Sequence, residues 1–276
     1  MFHSCASVLP AELSNLTLFL ALGAIAAMLF SIAKAGFGGS IGLLAVPVMI
    51  YACGGDSPLA IGIMLPLLIT CDFVAVFKWW RKWNTRSASI LLPGAVTGII
   101  LGFTAMWGME QLETEGGQDL ADAALKLGIG LIALLFVILQ AIRALRSKPL
   151  PFKPVWWQGS AVGTVAGFTS SLAHSAGPVV AMYMLPQQMT KGQYVATTVF
   201  TFWLVNLMKV PVYVALGRIN TGTLSAGLML FPAVVAGTLL GVFLHRKVGR
   251  KQFNVIVYVL LTLAAADLIY KGITGL

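Results

Sequence analysis

The 276-residue sequence predicts an all-α polytopic membrane protein built as two inverted-topology repeats, with about eight full transmembrane helices and two short, broken or re-entrant ones. Three observations carry that expectation. The chain is 58% hydrophobic and only 10% charged, with a mean hydropathy of +0.90, whereas a soluble domain carries about 25% charged residues. Long apolar runs alternate with short loops rich in Lys and Arg, the pattern of membrane loops rather than of a nucleic-acid-binding surface. Two stretches of the second half repeat, in order, the Gly and Pro pattern of two stretches of the first.

A helix crosses the hydrocarbon core with about 20 apolar residues. Eight runs reach that length: residues 14–35, 57–78, 87–109, 121–145, 154–173, 191–216, 221–245 and 252–274. Residues 1–13 lack the basic start of a signal peptide, so they read as a tail and the first run as a retained helix. Two further segments, 40–53 and 174–186, would be only about 20 Å long as helices. Each opens at a Gly/Ser-rich break. Short, interrupted segments at matching places in two halves are the best sequence pointer to a transporter's binding site.

Orientation follows from the basic loops. Lys78, Arg81, Lys82 and Arg86, then Arg143, Arg146, Lys148 and Lys153, then Arg246, Lys247, Arg250 and Lys251 make up twelve of the 18 basic residues, and all are expected to be cytoplasmic. Five of the nine acids (Glu110, Glu113, Glu115, Asp119, Asp122) fall in one loop, expected outside. The assignments alternate if both short segments cross the membrane, which puts both termini outside; re-entrant segments would put them inside. The chain then divides into a first repeat core (14–109), an acidic external loop, helix and cytoplasmic basic linker (110–153), a second repeat core (154–245), and a cytoplasmic loop with the last helix (246–276).

The repeat is visible without gaps. Gly36–Val48 and Gly167–Val179 share six of 13 residues, and Leu91–Phe103 and Leu230–Val242 again six of 13. The run 87–109 leads from a basic loop to the acidic loop, while its counterpart 221–245 ends at a basic loop. The second copy is therefore inverted, and inverted repeats place the substrate near the bilayer midplane, where the halves meet.

Charges inside the bilayer cost about 2.5–3.5 kcal/mol each even on the lenient insertion scale, so those that occur are candidates for function. Lys34 precedes the first break, Asp72 lies two-thirds along its helix, Lys209 follows Asn206 deep in 191–216, and His174 lies in the second break. Lys34 and Lys209 could instead snorkel to an interface, Asp72 could pair with a loop Arg, and His174 could be a hydrogen-bonded core histidine. The short helices begin near Gly38-Gly39-Ser40 and near Ser175. Helix N-termini carry free N–H groups and about half a positive elementary charge, which suits a small anion. Ser40, Ser170, Ser171 and Ser175 could add hydroxyl donors. The alternative is that Gly and Ser simply let helices pack closely. The candidate substrate-binding set is thus Lys34, Gly38, Gly39, Ser40, Ser170, Ser171, His174, Ser175, Asn206 and Lys209, with Asp72 supporting the site or coupling a proton.

Little else in the sequence carries chemistry. Cys5, Cys53 and Cys71 have no paired spacing, so no disulfide framework, metal site or cofactor is implied. There is no G-x-S-x-G, H-E-x-x-H or P-loop, so no catalytic residue is assigned. Trp79, Trp80, Trp83, Trp156 and Trp157 flank the basic loops as interfacial anchors.

These motifs together resemble the sulfite exporter TauE/SafE family of permeases, over nearly the whole chain. In the first half the resemblance rests on Lys34-Ala35-Gly36-Phe37-Gly38-Gly39, Leu44-Ala45-Val46-Pro47, Leu65-Pro66-Leu67-Leu68-Ile69 with Asp72, and Leu92-Pro93-Gly94-Ala95. In the second it rests on Ala166-Gly167-Phe168-Thr169-Ser170, Leu172-Ala173-His174, Gly177-Pro178, Tyr183-Met184-Leu185-Pro186-Gln187 and Asn206 with Lys209-Val210-Pro211. Ser40 and Ala176 stand where family members often have glycine. The resemblance implies transport of small anions, often sulfur-containing, such as sulfite, thiosulfate or organosulfonates. The expected partners are therefore a small anionic solute and the lipid bilayer, with no nucleic acid and a homodimer as the assembly to look for; the expected place is a bacterial inner (plasma) membrane. An anion channel of the same architecture, a carrier of a non-sulfur organic anion and a membrane assembly factor are the other readings.

Overall fold

The computed structural model describes residues 15–39, 44–114, 155–184, 187 and 189–247, with separate helical positions within 123–142 and 262–274. Every regular element among them is helical. In chain order they are α1 (Leu16–Phe37), α2 (Ala45–Ala52), α3 (Ser57–Lys78), α4 (Thr85–Thr114), α5 (Trp156–Ala173), α6 (Ala176–Met184), α7 (Lys191–Ala215) and α8 (Thr221–Lys247).

The helices start where side chains can satisfy their free N–H groups. Asn15 Oδ1 accepts from Leu18 N at 3.0 Å, Asp56 Oδ1 from Leu59 N at 2.7 Å, Thr190 Oγ1 from Gln193 N at 3.2 Å and Asn220 Oδ1 from Thr223 N at 2.9 Å. Among the described residues, five helices are long and apolar enough to cross a membrane: α1, α3, residues 85–108 of α4, α7, and residues 221–245 of α8. The predicted run 154–173 becomes α5, whose 18 residues carry Gln, Ser, Thr and Gly among the apolar ones and leave it outside that set. The predicted runs 121–145 and 252–274 lie largely outside the described residues. Ile25, Phe73, Phe77, Ile100, Leu228 and Leu239 point outward and are at least half exposed. In water such a belt would be a liability; facing lipid it is the expected surface.

Two helix pairs form the frame, and each takes one helix from each half of the chain. In the α4–α5 pair a Cβ on Gly94 would lie 1.8 Å from the Ser160 carbonyl oxygen, one on Gly98 2.0 Å from that of Thr164, and one on Gly163 2.1 Å from that of Leu91. In the α1–α8 pair a Cβ on Gly36 would lie 2.5 Å from the Gly241 carbonyl and one on Gly237 2.9 Å from Met28 Cα. Small residues that let backbones touch drive helix association where lipid offers no hydrophobic gain. The contacts run in the same chain order on both partners, so each pair is parallel.

The remaining helices obey the same exchange. α3 packs on α8 as α7 packs on α4, α2 follows α1 as α6 follows α5, and α3 crosses α7 between them. Each short helix carries the chain back to the opposite end. Beyond α1, Tyr51 of α2 meets Asp267 and Lys271 near the end of the chain, and Gly55 approaches Lys126. Beyond α5, Tyr183 of α6 lies against Gly159, and Ser87 at the start of α4 donates to Gln187 at 2.7 Å.

Candidate functional site

The site begins where α1 and α5 stop. α1 ends in a left-handed residue, Gly38 (φ 73°), whose N–H bonds the Lys34 carbonyl at 3.1 Å while Gly39 N–H bonds that of Ala33 at 3.0 Å. α5 ends in the same way at His174 (φ 49°): its N–H bonds the Ser170 carbonyl at 3.0 Å and Ser175 N–H that of Thr169 at 3.3 Å. Paired closing bonds of this kind terminate a helix and free the next segment to turn back.

Two polar clusters sit beside these ends. In the first, Lys34 Nζ is 2.8 Å from Asp72 Oδ2, and Asn206 Nδ2 donates to the same oxygen at 2.7 Å. Asp72 has no exposure and Lys34 only 6%, so Lys34 turns inward rather than snorkelling, and Asp72 pairs with it rather than with a loop Arg. The second oxygen, Oδ1, is buried without a partner. Asp72 stands 15 residues after Ser57, the start of α3, and Asn206 15 residues after Lys191, the start of α7. Equivalent positions of the two halves thus meet at the α3–α7 crossing.

In the second cluster Lys209, also fully buried, donates to the Ser170 carbonyl at 3.0 Å, to Ser170 Oγ at 3.0 Å and to His174 Nδ1 at 2.9 Å. Three acceptors match the three protons of an ammonium, and none is an acid. His174 Nε2 lies 3.0 Å from the Ile61 carbonyl. A carbonyl cannot donate, so the proton is on Nε2 and Nδ1 accepts from Lys209. Because Ser170 Oγ accepts from Lys209, its own hydrogen remains free to donate.

A cavity of about 30 Å³ joins the clusters. Its polar lining is Lys34, Ser170, His174 and Asn206, with Gly39, Ala176 and Gly177 at the chain breaks; Phe30, Val46, Met64, Leu68 and Phe202 form the apolar wall. Ala176 and Gly177 open α6, where free N–H groups and the positive end of the helix dipole face inward. Among the described residues no group of His, Cys, Asp and Glu could hold a metal ion. The arrangement offers hydrogen-bond donors and basic side chains in a narrow space, which suits an anion.

The model of the sulfite exporter TauE/SafE family matches residues 19–268, nearly the whole chain. The chain belongs to this family. TauE/SafE proteins are membrane transporters rather than enzymes, and the chain is accordingly a multi-pass membrane protein. Nothing among curated proteins or solved structures matches it.

Of the residues singled out from the sequence of this TauE/SafE protein, Lys34, Gly39, Ser170, His174 and Asn206 line the cavity. Asp72 and Lys209 stand behind that lining and reach it through Lys34 and Asn206, and through Ser170 and His174. Three others are turned to packing. Gly38 is covered by Tyr194 and Thr198. Ser171 donates to the Gly167 carbonyl at 3.0 Å and sits against Gly102. Ser175 donates to the Ala173 carbonyl at 2.8 Å. Ser40 lies outside the described residues. Trp80, Trp156 and Trp157 are exposed, but Trp79 also donates to the Ala35 carbonyl at 3.2 Å. Cys53 and Cys71 are buried and unbridged, while Cys5 lies outside the described residues.

The apolar wall escaped the sequence reading, although a signal existed. Phe30 is one helical turn before Lys34, Phe202 one turn before Asn206, and Leu68 and Met64 one and two turns before Asp72. Residues four apart share a helix face, so the polar residues themselves point to their apolar neighbours.

Proposed function

We propose that the cavity is the substrate site of a secondary transporter for a small anion, most directly a sulfur-containing one such as sulfite, thiosulfate or an organosulfonate, working by alternating access in a bacterial inner membrane. The observation that carries this reading is Lys209: a fully buried lysine whose amino group is bound only by neutral acceptors. Among the described residues Lys34 and Lys209 share one acid, Asp72, so with both lysines protonated the site holds one positive charge in excess. Such a charge in low dielectric costs several kcal/mol when uncompensated, and a bound anion is the natural counter-ion. Family membership supports transport but does not by itself choose a substrate.

In this reading the chain crosses the membrane ten times as two inverted repeats, with both short segments crossing. The exchange of helix pairings between the halves and the meeting of Asp72 with Asn206 support it. An anion drawn to Lys34 competes with Asp72 for that ammonium. The carboxylate then accepts a proton on its unpartnered Oδ1, coupling anion and proton movement. An internal-pH readout that stays flat while the anion moves through reconstituted protein removes the coupling.

The test of the site is thermal unfolding of the detergent-purified protein with sulfite, thiosulfate, sulfate, sulfoacetate, taurine, acetate and chloride at fixed ionic strength and pH. A ligand at 100 times its dissociation constant adds about 2.7 kcal/mol to stability. Stabilisation by one sulfur anion, lost in Lys209→Gln and His174→Ala, is the expected result. Equal response to every anion, or none, would remove the sulfur-anion reading.

A further inference from the structure

The apolar wall of the cavity has one member placed differently from the rest. Phe202 is 5% exposed and sits where three elements of the site meet. Its ring occupies the space of a Gly39 side chain: a Cβ there would be 2.8 Å from Phe202 Cε2. Lys34 Nζ lies 5.4 Å from the ring centroid, within the range of a cation–π contact. One turn further along α7 stands Asn206, the donor to Asp72.

Among the described residues, Phe202 is the last of α7 toward the helix start to line the cavity. The next turns of α7, toward the end that holds Trp79 and His245, are closed by packing: Val199 and Thr198 have no exposure, and Thr198 with Tyr194 fills the place of a Gly38 side chain. Both Gly38 and Gly39 have left-handed φ, a backbone in which a side chain would be strained, so the space beside them is left for the rings of α7. The ring is therefore the floor, packed on one side against the Gly39 backbone and facing on another a lysine already tied to Asp72.

Resting on the anion-site reading above, we propose that Phe202 is the specificity-determining residue of the cavity. Its ring sets the length of the group an anion may carry behind the head that meets Lys34, Ser170 and the α6 N-terminus. A rigid wall discriminates by volume, and one methylene in an apolar pocket changes binding by about tenfold or more.

The experiment uses the full chain in detergent and two homologous series, the sulfonates and the carboxylates from one carbon to four, at constant ionic strength and pH. Apparent dissociation constants come from thermal unfolding for the wild type, Phe202→Ala, Phe202→Leu and Phe202→Trp. The expected result is that Phe202→Leu and Phe202→Ala raise the four-carbon to one-carbon affinity ratio by about tenfold or more, and that Phe202→Trp lowers it. Phe202→Leu keeps an apolar side chain and guards against loss of folding in the alanine variant. A wild type that binds the short anions with a ratio unchanged within about threefold in all three variants overturns the inference alone. A wild type that binds sulfite or thiosulfate but neither series overturns this inference alone, and one that binds none of these anions overturns the anion site, and this inference with it.

Discussion

The two chain breaks share a backbone and differ in what they do with it. Both end a long helix in a left-handed residue closed by the same pair of N–H bonds. At the first break that residue is Gly38, and the space beside it is filled by Tyr194 and Thr198. At the second it is His174, which holds a conformation costing an L-residue about 1–2 kcal/mol yet uses its ring to bridge Ile61 and Lys209. The exposed carbonyls are also capped differently. Trp79 and His245 bind those of Ala35 and Gly36, whereas Lys209 and Tyr213 bind those of Ser170 and Ser171. The first break is closed by glycine and its charge is paired; the second tolerates strain to keep a histidine and carries a lysine with no acid. Strain held at one of two equivalent places points to function there.

The sharpest way to break this comparison is at the paired charge. Asp72→Ala strands Lys34 and should cost about 3–5 kcal/mol, read as a fall in unfolding temperature, with transport lost. Replacing both residues, Lys34→Met with Asp72→Leu, should recover most of the stability and none of the transport. If the double variant transports, the ion pair is only structural.

Gly38→Ala comes next. The new Cβ would meet Tyr194 at 2.7 Å in a left-handed backbone, and overpacking of this kind costs about 1–3 kcal/mol. At the second break the opposite change is informative. His174→Ala loses the bridge and keeps the strain, while His174→Gly loses the bridge and relieves it, so the glycine variant should be more stable than the alanine variant by about 1 kcal/mol. Both should bind anion poorly. The smallest effect belongs to Trp79→Phe, which removes one carbonyl cap worth about 1 kcal/mol and should leave anion affinity unchanged. Thermal unfolding with and without anion separates these outcomes.

Much of this plan was legible in the sequence. The predicted run 57–78 has the same ends as α3, and 191–216 differs from α7 by one residue, because an apolar run of about 20 residues is itself what a spanning helix requires. The charged candidates were readable for a simple reason: a lysine or aspartate in an apolar run has few explanations. The breaks were harder. The gapless repeat sets Gly38 against Thr169, whereas the helix ends set it against His174, five residues further on. The shared Gly-Phe pair comes two residues before the left-handed position in one half and seven before it in the other, and periodicity does not reveal how far a helix runs beyond a motif. The floor at Phe202 and the caps from Trp79 and His245 were hidden because each depends on an approach between distant helices.

The glycine faces have one more consequence. Among the described residues, each half of the chain presents two glycine faces that a helix of the other half covers: α1 packs on α8, and α4 on α5. A polypeptide of half this length would leave both furrows open to lipid. Its natural mate is the other half, so the two halves, if produced as separate chains, should find each other and reassemble.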